Sequence, residues 1–431
     1  MKLCIFFLSF FFATNLLAQH EIEKVAKKLA AHKYSRVYKC FDETMKVTVS
    51  KHQIRELWEK IEATSGQFKS IEEIEITEVS GNKRQTAVLK FNQAAYKMIL
   101  SESPKGEING LYISQLGYNV PLYGRGIRIG KKFVNFLSHS YQISGELVVP
   151  IECNNCPVVI LVHGSGPNDK DETIGPTKVF KDLALGLASK GIASYRYDKR
   201  FYLYPELMKE QFDLYDETIN DAISAYHTLK SDTSLHFGKY VMLGHSLGAY
   251  SMPLIADSLK SLNGAILFSG NARKLEDLIE YQMHYLTGLD GVITEEEAKI
   301  INENEVKANL IRDNNFSSKT SSDSLLAYWP GTFWKGVKNY DPVSTLESNK
   351  TTEFFIMQGE KDYQITMEDF SIWTKNVGTQ SNVKLQSFKN LTHLFAPTQS
   401  KKSGPNDYFI PNNVDEQVIL EIADWIRLVV R

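Results

Sequence analysis

The chain has 431 residues, 43% hydrophobic and 23% charged, with a formal net charge of −2. These proportions exclude a disordered chain. The lack of a basic block removes the electrostatic footprint of nucleic-acid or anionic-membrane binding, and four cysteines are too few for a disulfide scaffold.

Fourteen of residues 1–18 (Met1 to Ala18) are apolar, with a single cation at Lys2, an apolar run Leu3–Phe12 and a small residue at the end. That is the layout of a secretory signal peptide cleaved near Ala18, too short for a membrane anchor. It predicts a secreted or periplasmic protein of 413 mature residues, enough for two domains or for one large and one small.

Residues 19–116 open with helical patterns. Ile54, Leu57, Trp58 and Ile61 share a helix face, and Ser50 with Gln53 forms a capping box ahead of them. Short strands are then expected at Ile71–Val79, Gln85–Phe91, Ala95–Leu100 and Ile108–Leu116. Helices followed by a meander predict a small α+β accessory domain. It resembles the nuclear-transport-factor-like domains placed ahead of some secreted hydrolases. His32 and His52 are read as ordinary helix residues, and no catalytic constellation is visible there.

Six glycines between Gly106 and Gly130, with Pro121, mark a seam. From residue 125 to 431 the rhythm becomes strand, turn, helix, which predicts a mostly parallel sheet with helices on both faces. Val158–Val162 is a continuous apolar run, as a strand covered on both faces requires. Cys153 and Cys156 fall in a turn between two strands, where export favours a small disulfide. Residues 271–346 interrupt the alternation with helices and are read as a cap over the site. Leu275, Leu278, Ile279, Met283 and Leu286 share one face. Thr294 and Glu297 cap a second helix carrying Ile300, Ile301 and Leu310. The aromatics Tyr328, Trp329, Phe333, Trp334 and Tyr340 follow as cap core or site lining.

Gly244-His245-Ser246-Leu247-Gly248 is a G-x-S-x-G. The pentapeptide is weak alone, but here it joins an apolar strand to a helix, the setting of a strained turn that lifts a serine Oγ into a cleft. Ser246 is the candidate nucleophile, and it needs a base. Only His284 and His393 follow it; His284 lies in the insertion, so His393, just past the strand Val383–Phe388, is the candidate. Asp362, beyond the strand Glu353–Met357, is the expected orienting carboxylate. Glu360 is the weaker alternative, and Asp341 is read as starting a turn. The oxyanion donors are expected to be the backbone amides of Leu247 and of Ser165, the latter in His163-Gly164-Ser165-Gly166-Pro167. His163 is read as structural.

These stretches, with Arg196-Tyr197-Asp198-Lys199-Arg200, Gly359-Glu360-Lys361-Asp362-Tyr363 and Thr392-His393, resemble the α/β-hydrolase superfamily. More narrowly, they are similar to secreted carboxylesterases with an N-terminal accessory domain, related to the serine aminopeptidase-like branch. The resemblance implies a Ser246–His393–Asp362 triad and hydrolysis of short-acyl carboxylic esters, with no metal or cofactor and a small-molecule substrate. A serine peptidase, or a thioesterase or acyltransferase, would share the triad. One departure is local: many relatives follow the Asp-x-Arg element with a glycine-rich turn, whereas Phe201-Tyr202-Leu203-Tyr204-Pro205 stands here.

Overall fold

The computed structural model describes residues 20–429 except Ser80, Gln93 and Gly117; the leader expected over 1–18 lies outside the described residues. The chain divides into two compact units, one ending at Leu116 and one beginning at Gly117.

In the first unit, helices α1 (Glu21–Ala30), α2 (Tyr34–Tyr38), α3 (Glu43–Thr48) and α4 (Lys51–Ser65) precede a four-stranded antiparallel meander. Its strands are β1 (Phe68–Val79), β2 (Asn82–Phe91), β3 (Ala95–Glu102) and β4 (Ile108–Leu116). The Ser50 and Gln53 side chains close the capping box of α4, at 3.2 and 2.7 Å. One face of each long helix is apolar, so Ile22, Val25 and Leu29 of α1 and Ile54, Trp58 and Ile61 of α4 bury against Leu89, Met98 and Leu100.

The second unit begins with β5 (Ile129–Phe133), the hairpin β6 (Phe136–Ser138) and β7 (Tyr141–Ile143), β8 (Gly145–Pro150) and β9 (Val158–Val162). A small hairpin β10 (Thr173–Ile174) and β11 (Thr177–Lys178) leads into α5 (Val179–Ser189). Then come β12 (Ala193–Tyr197), α6 (Arg200–Leu203), α7 (Asn220–Ser231), β13 (Tyr240–His245), α8 (Leu247–Ser258) and β14 (Gly264–Phe268). The insertion contributes α9 (Leu275–Thr287), α10 (Glu295–Arg312), α11 (Gly331–Lys338) and α12 (Pro342–Ser348). The chain ends in β15 (Glu353–Gly359), α13 (Met367–Val377), β16 (Val383–Phe388) and α14 (Glu416–Val429).

Eight of these strands form one sheet in the order β16-β15-β14-β13-β9-β12-β8-β5. It is parallel from β16 to β12, while β8 and β5 pair antiparallel at one edge. Alternation along β9 divides the core. Val158, Ile160 and Val162 face α7, α8 and the insertion, whereas Val159 and Leu161 face α5 and α14. All five are buried, which is why the run carries no polar residue.

A π-turn over Tyr215–Ile219 leads directly into α7 and widens its entry. The capping box of α10 forms between Thr294 and Glu297. Its buried residues are Ala308 and Ile311; Leu310, expected on the apolar stripe, points to solvent because the contact face of this 18-residue helix is narrow. Phe333 and Trp334 are buried in the insertion's core, but Tyr328 is 69% exposed. Cys153 and Cys156 are joined by a disulfide. Among the described residues, no helix is long and apolar enough to cross a membrane.

Candidate active site

Four parallel strands end near one another, and the turns that follow them carry the candidate residues. Ser165 follows β9, Ser246 follows β13, Asp362 follows β15 and His393 follows β16. Loops at the carboxyl edge of such a sheet are free to carry chemistry because the strands beneath them are fixed.

Ser246 has φ 55° and ψ −116°, a conformation that costs a non-glycine residue about 1–3 kcal/mol. It is held by its surroundings: its amide donates to Phe268 O at 3.0 Å and its carbonyl accepts from Tyr250 N at 2.9 Å. The turn is tight enough to require glycine on both sides. A Cβ on Gly244 would lie 2.3 Å from Gly248 O, and one on Gly248 would lie 2.4 Å from Val162 O and 2.6 Å from His163 O.

The Asp362 carboxylate is buried and fully engaged. Oδ1 accepts from the backbone amides of Gln364 (2.8 Å) and Ile365 (3.0 Å). Oδ2 accepts from Gln358 Nε2 (3.1 Å) and lies 2.7 Å from His393 Nδ1. Three donors besides the imidazole fix the carboxylate, and the carboxylate fixes the imidazole. Glu360 is exposed and bonds Ser387 Oγ, while Asp341 caps α12 through the amides of Val343 and Ser344. His284 lies 3.2 Å from Glu305 on the insertion's surface.

His245 links the His393 loop to the elbow. Its Nε2 donates to His393 O at 3.0 Å, and the two rings lie 4.6 Å apart. Its Nδ1 lies 3.1 Å from Glu172 Oε2, with both side chains about 1% exposed. Burial opposes the His245 charge, yet the Glu172 carboxylate lifts its pKa above the ordinary value; burial likewise opposes the Glu172 charge, and His245 pulls its pKa below the ordinary one.

The loop after β9 is pinned on both sides of Ser165. Gly164 N donates to Glu172 Oε1 (2.8 Å) and Gly166 N to Glu217 Oε1 (3.0 Å). Lys199 Nζ, itself buried, donates to Gly164 O (2.6 Å) and to Glu217 Oε1 (2.7 Å). Burial raises the Glu217 pKa against the pull of the Lys199 ammonium. Among the described residues, nothing accepts a hydrogen bond from the Ser165 or Leu247 amide. His163 is buried with Nε2 on Tyr197 O at 2.5 Å, and burial lowers its pKa, so it is a neutral strut. Glu172 and Glu217 carried no sequence signal: each is a single acidic residue whose partner is distant in the chain. Only the π-turn, which bends Glu217 inward, reveals its place.

Ser165, Ser246 and Leu247 line one cavity of about 550 Å³. Leu275, Leu278 and Ile279 of α9 form an apolar part of its wall, Tyr328 and Trp329 add aromatic surface, and Gln282, Glu303 and Lys307 are among its polar lining. Arg196-Tyr197-Asp198-Lys199-Arg200 is a buried strut beside it, with Arg196 on Glu146 and Asp171 and Arg200 on Asp221. Phe201 packs on Phe212.

Strand order, elbow and helical insertion define an α/β-hydrolase. The family described as serine aminopeptidase, S33, matches residues 154–396, which is more than half of the chain. The chain belongs to that family. A second family, described as a protein of unknown function (DUF3887), matches residues 23–111. Esterase EstD of Thermotoga maritima is 29% identical over 431 residues, covering 99% of this chain and 100% of that one. Two similar solved structures are Est1E from Butyrivibrio proteoclasticus and the Pyrococcus furiosus esterase Pf2001. The first has a TM-score of 0.45 at 15% identity, covering 69% of this chain and 98% of that one. The second has a TM-score of 0.46 at 13% identity, covering 73% and 96%.

Proposed function

We propose that this protein is a carboxylic ester hydrolase that acts on short-acyl, uncharged esters through an acyl-enzyme on Ser246. Ser246 Oγ attacks the ester carbonyl as His393 takes its proton, and the Ser165 and Leu247 amides receive the oxyanion. Asp362 holds the imidazole by Nδ1 and stabilises its charged form. His393 then returns the proton to the leaving alcohol and activates the water that releases the acid. No cofactor or metal is required. The observation that carries this reading is the buried Asp362–His393 contact of 2.7 Å on a loop bonded to the residue beside Ser246.

Two features support an ester over a peptide. A peptidase acting at an amino terminus needs a carboxylate to receive the ammonium group. Among the described residues that line the cavity, the one carboxylate is Glu303, 57% exposed and 3.9 Å from Lys299. The apolar wall of α9 suits a short acyl chain, and the full-length similarity to an esterase agrees with it. The leader-like residues 1–18 and the Cys153–Cys156 disulfide support export to an oxidising compartment.

The test compares p-nitrophenyl esters of two to eight acyl carbons with aminoacyl-anilides, for wild type and Ser246→Ala. Short esters are expected to be turned over far faster than anilides, with hydrolysis abolished in Ser246→Ala. Anilide turnover above ester turnover refutes the substrate class, and hydrolysis surviving in Ser246→Ala refutes the nucleophile.

A further inference from the structure

We propose that Glu172 and Glu217 are positioning residues of the oxyanion site: they bind the amides on either side of Ser165 and so leave the Ser165 amide to the substrate. The assignment rests on the serine-hydrolase reading above. Neither carboxylate touches the reacting atoms; each acts through the loop.

The loop runs directly against the elbow, since a Cβ on Gly164 would lie 3.2 Å from Ser246 Cβ. With a glycine on each side, Ser165 sits in a loop of little intrinsic conformational preference, so something outside the loop must select it. Glu172 fixes Gly164 N and Glu217 fixes Gly166 N, one amide before and one after the donor. Lys199 holds the Gly164 carbonyl, so the Gly164–Ser165 peptide plane is gripped at its oxygen. A peptide plane has two soft neighbours, and holding Gly164 O and Gly166 N leaves little freedom for the Ser165 N–H between them.

The choice of residue type supports the same role. A buried carboxylate costs several kcal/mol unless it is paired, and glutamine would satisfy one amide without that cost. Each carboxylate here lies against its own buried basic side chain: His245 at 3.1 Å for Glu172 and Lys199 at 2.7 Å for Glu217. Each carboxylate thus has a partner besides the amide it orients, and neither is left facing the oxyanion site alone. Because His245 also donates to His393 O, Glu172 joins the loop, the elbow and the base in one connected unit.

The experiment is steady-state hydrolysis of p-nitrophenyl acetate by Glu172→Gln and Glu217→Gln, with inhibition by an alkyl trifluoromethyl ketone and a thermal melt of each. The ketone adds Ser246 Oγ to its carbonyl carbon, the serine proton passes to His393, and the former carbonyl oxygen becomes the oxyanion. Its affinity therefore reads the oxyanion site, whereas KM does not. Glutamine still accepts from the glycine amide but loses the ion pair and its grip. The expected result is a fall in kcat of about 10²-fold, the cost of a misplaced group, with a parallel loss of ketone affinity and KM within threefold. A kcat within twofold of wild type, or a lower kcat with unchanged ketone affinity, overturns the proposal. So does failure of both variants to fold, since the carboxylates would then serve the fold. Ser246→Ala separates the two claims. If it hydrolyses the ester like wild type, the serine mechanism fails; if it is inactive while both glutamine variants match wild type, only the positioning role fails.

Discussion

Replacing Asp362 by Asn tests the hydrogen-bond logic of the site with almost no change of shape. The Asn oxygen can keep the amides of Gln364 and Ile365, which the carboxylate binds at Oδ1. Its NH₂ then stands where Oδ2 faced two donors, Gln358 Nε2 at 3.1 Å and His393 Nδ1 at 2.7 Å. Gln358 has two further acceptors, Gly359 O and Ile365 O, so its loss is about 1 kcal/mol of stability. His393 has no such alternative. Its Nδ1 must accept instead of donate, which puts the ring proton on Nε2, the nitrogen that should take the serine proton. The wrong tautomer in a Ser-His-Asp triad costs about 10⁴ in kcat, or ~5.5 kcal/mol of transition-state stabilisation. The assay is kcat/KM for p-nitrophenyl butyrate from pH 6 to 9, beside a thermal melt. A fall of less than tenfold, in a variant that melts like wild type, would refute Asp362 as the orienting carboxylate.

Stability should depend on pH through Asp182, which burial pushes up to about 7 although it accepts from Tyr118, Asn413 and Val414. The folded protein keeps a proton there that the unfolded chain has lost, so stability falls as pH rises from about 4 to about 7 and levels off above. Holding that proton across the whole interval is worth at most about 4 kcal/mol. Denaturant unfolding across that range should show a shallower slope in Asp182→Asn, and an unchanged slope would remove Asp182 as the cause. Gly248→Ala places a methyl 2.4 Å from Val162 O and 2.6 Å from His163 O. Because both are backbone atoms of the strand and loop beside the elbow, the melting temperature and kcat should drop together; wild-type values for both would contradict the close approach.

Much of the architecture was legible because it is written in local patterns. The apolar run Val158–Val162 announces a strand covered on both faces, and Ser50 with Gln53 announces the start of a helix. Chain order alone put Ser246, Asp362 and His393 after three separate strands, and the fold brings those strand ends to one edge. The antiparallel edge strands and the π-turn at Tyr215–Ile219 were not legible, because pairing direction and helix pitch depend on partners that the local pattern does not contain. The same reason hid Glu172 and Glu217. An acidic residue in a polar loop looks solvated until a distant His245 or Lys199 is folded against it.

The insertion is uneven in how it is held, and that bears on motion. Phe333, Trp334, Val337, Val343 and Leu346 belong to the same hydrophobic cluster as the sheet face beneath them, with Phe333 packed on Phe212. The α9–α10 hairpin buries little: Ala308 and Ile311 from α10, and Leu275, Glu276 and Leu278 from α9. Arg312 fastens the end of α10 to Asp277 and Glu280 of α9, and α9 in turn reaches the loops after β15 and β16 through Gln282 on Gln364 O and Tyr285 on Ser403 O. Segments with few buried contacts open at a fraction of the global unfolding free energy. The exposed turn where α10 begins is thus expected to exchange its amides before α11 and α12 do, an order that segment-resolved hydrogen exchange would check.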